Sequence, residues 1–139
     1  MEVAVLKKTA FALIASLVFA FPIWAQDQAP KPDNKTSADD AAKTNPVKPT
    51  PETMAKAKKT YKLDCAMCHG ENGDGKGELA ADMKNVTDFT KPETLKDKSD
   101  GELFQVIKNG KGNMPPEGDR AKTDEIWGLV NYVRAFAKK

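Results

Sequence analysis

The sequence predicts an all-α fold, with one small domain of three to five helices over residues 51–139 behind a polar N-terminal stretch. Helix-capping signals punctuate this part of the chain at Thr50-Pro51, at Ser99 with Glu102, and at Thr123. Between them, apolar residues recur at spacings of three and four, the period of a helix with one buried face. No run of alternating β-branched residues reads as a paired strand.

The chain opens on Lys7 and Lys8, an apolar stretch over residues 9–21, then Pro22 and a small residue at Ala25. This is the layout of a secretory signal peptide over residues 1–25, and it implies export to the periplasm. Ile23 stands where such sites favour a small residue. Two outcomes therefore stay open, removal after Ala25 or retention as an uncleaved anchor that tethers the protein to a membrane; the run is short for a span.

Residues 26–50 mix Pro30, Pro32, Pro46 and Pro49 with four Lys and four Asp, and Val47 is the single large aliphatic. Such a stretch cannot build a core and reads as a disordered linker. As a flexible coil it would reach roughly 25 to 30 Å.

In the domain, Thr50 caps a first helix with Pro51 at its first position and Met54, Ala57 and Tyr61 on one stripe. Gly70, Gly73, Gly75 and Gly77 then open a loop. The capping box of Ser99 and Glu102 starts a helix with Leu103, Phe104 and Ile107 that ends at Gly110. Thr123 caps the last helix, whose buried stripe is Ile126, Leu129, Val130, Val133 and Phe136, and whose Asp124, Glu125 and Arg134 complement the helix dipole. Trp127, at helical spacing, reads as core packing rather than as an electron relay.

Both cysteines and the lone histidine of the chain lie in Cys65-Ala66-Met67-Cys68-His69. The C-x-x-C-H spacing is the attachment signature of a c-type haem. On a helix the three residues share one face, so two thiols could form thioethers with the haem vinyls while the imidazole binds iron. A zinc site, a thioredoxin-like dithiol and a plain disulfide remain as other uses. Zinc wants a fourth ligand and the dithiol a preceding strand; neither is visible. Large apolar residues are few for a domain of this length, so a buried haem would supply the missing core and the apo chain should be largely unfolded.

Met114, in Gly110-Lys111-Gly112-Asn113-Met114-Pro115-Pro116, is the candidate sixth ligand, a soft thioether on a loop with permissive glycines and stiffening prolines. Met54, Met67 and Met83 are poorer candidates by position. With both axial positions filled the iron binds no substrate, so an electron carrier is expected rather than an enzyme. The alternatives are a domain of a larger oxidoreductase, or a peroxidase or gas sensor if Met114 leaves the iron.

From Thr50 onward the chain resembles the class I monohaem cytochromes c, and is similar to the cytochrome c domains of haem-copper oxidase subunits. Tyr61 before Cys65, the Cys65 to Gly70 core, Gly73-Asp74-Gly75-Lys76-Gly77, Ser99-Asp100-Gly101-Glu102-Leu103-Phe104, Val106-Ile107-Lys108-Asn109-Gly110, Met114-Pro115-Pro116 and Ile126-Trp127 through Arg134 carry the likeness. The resemblance implies one haem c, crossing of the first and last helices with Ala57 and Tyr61 against Leu129 and Tyr132, and single-electron transfer through an exposed haem edge. Relatives often have a proline where Glu78 stands, so the carbonyl that holds the His69 ring is sought near residues 78–80.

Arg120 is read as either a haem-propionate partner or a solvated loop charge. Lys76, Lys108 and Lys111 could surround the haem edge. The net charge is +2, and residues 1–25 contribute Lys7, Lys8 and Glu2, so strong electrostatic steering of partners is not implied. A monomer that meets donor and acceptor redox proteins is expected, and nothing suggests nucleic acid.

Overall fold

The computed structural model describes residues 41–137. The expected signal peptide, and residues 26–40 of the expected linker, lie outside them. Among the described residues the architecture is helical, with an isolated bridge between Lys111 and Met114 in place of any strand. No helix there is long and apolar enough to cross a membrane.

The first helix, α1 (Pro51–Thr60), starts where the sequence places it. Thr50 is extended, its hydroxyl accepts from the Thr53 amide, and the Thr53 hydroxyl accepts from the Thr50 amide at 2.9 Å. Two donors that a helix start leaves orphaned are thereby satisfied. The chain then widens into a π-helical turn (Tyr61–Cys65) before a single α-turn, α2 (Ala66–His69). A 3₁₀ turn (Glu78–Asp82) and a short α3 (Pro92–Leu95) lead to α4 (Asp100–Asn109) and α5 (Thr123–Phe136).

Helix α4 carries the expected Ser99 and Glu102 capping box, with bonds of 3.0 and 2.7 Å, and buries Phe104 and Ile107. Helix α5 begins one residue earlier than expected. Lys122, not Thr123, is the cap residue, because the Glu125 carboxylate accepts the Lys122 amide at 2.9 Å and draws Thr123 into the first turn. Its expected stripe is buried throughout, together with Trp127 and Gly128.

The core forms where α1 packs across α5. Ala57 faces Gly128, and the Tyr61 ring lies 5.2 Å from those of both Tyr132 and Phe136. Trp127 stacks on Phe104 at 4.2 Å and joins α5 to α4, a core role. Arg134 does more than complement a dipole. It donates to Asp100 at 2.5 Å and to the carbonyls of Leu95 and Lys98, tying α5 to the ends of α3 and α4.

Residues 41–50 do not run free as the linker reading expects. The Asn45 amide donates to the Trp127 carbonyl and to Asn131, whose own amide donates to the Val47 carbonyl, while Val47 packs on the core. Polar composition hid this docking because reciprocal amide bonds hold it together with the single aliphatic contact of Val47.

Candidate functional site

The π turn places the first thiol. The Ala66 amide reaches back five residues to the Tyr61 carbonyl, so the turn holds one residue more than an α-helix would. Cys65, at the end of that turn, is thereby shifted from the register that α1 would give it. Cys65 and His69 line a common cavity of about 280 Å³; Cys68 is half-buried beside His69 but is not part of that lining.

The glycine loop then folds back beneath α2. Gly70 and Gly75 take positive φ, the Gly75 amide donates to the His69 carbonyl at 2.8 Å, and the Gly77 amide donates to the Cys68 carbonyl at 3.1 Å. Gly77 approaches so closely that a Cβ there would sit 2.3 Å from the Met67 carbonyl oxygen. Buried Tyr61 clips this turn by donating its hydroxyl to the Gly70 carbonyl at 2.8 Å.

His69 is held from a different place than the sequence suggested. Its Nδ1 lies 3.3 Å from the Thr87 carbonyl, beyond the expected neighbourhood of residues 78–80, and its ring stacks on Phe89 at 4.6 Å. The Phe89 amide bonds the Gly73 carbonyl at 2.7 Å, and this fold-back brings Thr87 up to the ring. A carbonyl only accepts, so Nδ1 carries the proton and Nε2 keeps its lone pair for a metal. Burial lowers the His69 pKa, which favours the neutral, ligating imidazole.

Met114 lines the same cavity. Its loop is tightened by paired Lys111 and Met114 backbone bonds of 3.0 and 3.1 Å, with Gly110 and Gly112 at positive φ. Met54, Met67 and Met83 do not line the cavity. The walls include Leu103, Val106, Leu129 and Val133, and the charged side chains at its edge are Lys98, Glu102 and Lys111.

Arg120 stays half exposed on its loop, and it has carboxylate partners. It pairs with Glu117 and lies 3.7 Å from Asp64. Glu117 is 3% exposed. No sequence signal marked this burial of a loop carboxylate beside Pro116. The Cys65 thiol is pushed up to about 12, first by burial and then by the charges of Glu117 and Asp64.

The model of cytochrome c oxidase, cbb3-type, subunit III matches residues 52–133, more than half of the chain. The chain belongs to this family. A curated relative, the cbb3-type cytochrome c oxidase subunit FixP of Azorhizobium caulinodans, is 37% identical over 82 residues, which are 58% of this chain and 26% of FixP. The chain thus spans about a quarter of that relative's length. Among solved structures, the reducing HAO-like protein complex Kustc0457/Kustc0458 of Kuenenia stuttgartiensis aligns with a TM-score of 0.59 and 29% identity, over 66% of this chain and 46% of that one. The KustC0563 c-type cytochrome aligns at 0.53 and 27%, over 58% and 95%.

This is accordingly a cytochrome c electron-transfer domain of the all-α cytochrome c fold, and its cofactor is covalently bound haem c with its iron. The cavity fits that group on its own chemistry. A thiol, an imidazole with a free Nε2 and a thioether share one cavity with apolar walls, with Lys98, Glu102 and Lys111 as its charged lining.

Proposed function

We propose that the chain is an exported, periplasmic electron carrier, with Cys65 and Cys68 as the thioether residues and His69 and Met114 as axial ligands of one haem. One observation carries the reading: Cys65, His69 and Met114 line one apolar cavity. When bound, the haem supplies an iron that accepts and releases one electron at a time. His69, fixed through Thr87, presents Nε2 to it, and Met114 presents a sulfur that favours the reduced state. Lys98 and Lys111 would face the propionates. With His69 and Met114 both holding the group, no position would stay open for substrate, and the domain would act as a carrier rather than an enzyme. Its partners are a donor and an acceptor protein, and it works as a monomer, either released after Ala25 or tethered by the retained N-terminal segment.

A second reading, favoured by the subunit III family match, makes the domain a part of a larger oxidoreductase. Co-purification with an oxidase at fixed stoichiometry would favour it over a free carrier.

Met114→Ala tests the main reading. The reduction potential should fall by something on the order of tenths of a volt, within the roughly 0.8 V open to axial ligands. Carbon monoxide should bind the reduced variant and not the wild type. Equal potentials and equal carbon monoxide binding would remove Met114 from the iron.

A further inference from the structure

The Arg120 guanidinium joins two segments that the proposed haem site needs at a fixed separation. One is the loop that carries Met114, where Glu117 follows three residues later with its side chain 4% exposed and paired to Arg120. The other is the π turn, where Asp64, the residue before Cys65, lies 3.7 Å from Arg120. Further ties of the Met114 loop run to α4, from the Glu117 amide to the Ile107 carbonyl at 2.9 Å and from the Gly118 amide to the Lys108 carbonyl at 2.8 Å. The ion pairs therefore span from the Met114 side to the Cys65 side, a span these α4 bonds do not make.

Glu117 makes the arrangement brittle. Its Oε2 is buried with no hydrogen-bond partner among the described residues, so Arg120 is the cation that compensates the buried carboxylate. Stripping one partner from a buried pair leaves an uncompensated charge, which is worse than removing both. Two reliefs are open, protonation of the carboxyl and an outward turn of the Glu117 segment to water, and the second would carry the Met114 loop with it.

We propose that Arg120, acting through Glu117 and Asp64, is a positioning residue that keeps the Met114 sulfur on the iron and small ligands off it. This rests on the ligand assignment above and adds to it the device that holds the ligand in place.

The test uses oxidised holoprotein and follows cyanide association, the far-red sulfur-to-iron absorption band and the thermal midpoint. Arg120→Gln should weaken the band and speed cyanide binding about tenfold, less than a fully buried pair would give because Arg120 is itself half exposed. Arg120→Lys should keep most of the band. Adding Glu117→Gln to Arg120→Gln should return both readouts toward wild type, since the stranded charge is gone. If Arg120→Gln yields no holoprotein, Asp64→Asn breaks the outer link alone and should shift both readouts the same way, by less. An unchanged band and cyanide rate, whatever the melting temperature does, would overturn the proposal. So would a double variant as open as Arg120→Gln. A wild type with no band and fast cyanide binding would instead overturn the Met114 assignment itself.

Discussion

Gly77→Ala asks whether the turn under Cys68 and His69 is as tight as the structure makes it. The backbone φ at Gly77 is −66°, which any residue adopts, so alanine meets no conformational penalty there. The obstacle is steric. Its Cβ would lie 2.3 Å from the Met67 carbonyl oxygen, 2.5 Å from the Met67 carbonyl carbon and 2.6 Å from the Ala66 oxygen. These are backbone atoms, so no side chain can swing aside, and the loop must part from α2 by about 1 Å to reach van der Waals contact. Forced separations of this kind cost about 1–3 kcal/mol. In a domain of this size each kcal/mol moves the thermal midpoint by about 4–8 °C. Melts of the holoprotein should therefore show a fall of about 5–20 °C, with loss of the 3.1 Å bond from Gly77 to Cys68. A midpoint within about 3 °C of wild type would refute the close approach.

Gly128→Ala should behave oppositely, since a Cβ there meets only ordinary contacts, the nearest Ala57 at 3.7 Å, and alanine gains about 0.5–1 kcal/mol in a helix interior; a clear loss in a thermal melt would show that the α1 and α5 crossing is closer. Leu129→Ala, at a side chain 1% exposed, should cost about 2–5 kcal/mol in denaturant titration, and an unchanged midpoint would displace it from the core. The Glu102 carboxyl is held below the usual carboxylate range, chiefly by the Ser99 amide. A lowered folded pKa gives stability that is present above the unfolded value of about 4.3 and is lost as pH falls through the folded value. The thermal advantage of wild type over Glu102→Gln should thus shrink as pH falls below about 4, and a constant gap would deny the linkage.

Much of the fold was legible because the signals are local. Thr50 with Pro51 and Ser99 with Glu102 announce helix starts by residue type, and the α5 stripe follows from period alone. Thr123 misled because Glu125 serves a cap one residue earlier equally well. The ligand candidates were legible in the pentapeptide and in Met114, yet their setting was not. The π turn at Cys65 has no sequence signature, and the Thr87 carbonyl reaches His69 through a long-range loop fold-back. Glu117 carried no sequence signal, because its burial beside Arg120 arises only in tertiary structure. Asn45 and Asn131 were hidden in the same way, since a reciprocal amide pair looks like any polar composition.

A redox-titrated absorption spectrum of the wild-type holoprotein, taken with and without carbon monoxide, tests the electron-carrier assignment most directly. One reversible one-electron transition should appear, with the far-red sulfur-to-iron band in the oxidised form alone and no change when carbon monoxide meets the reduced form. A spectrum without that band, together with rapid carbon monoxide binding, would contradict His69 and Met114 as the axial pair and make the iron an open site.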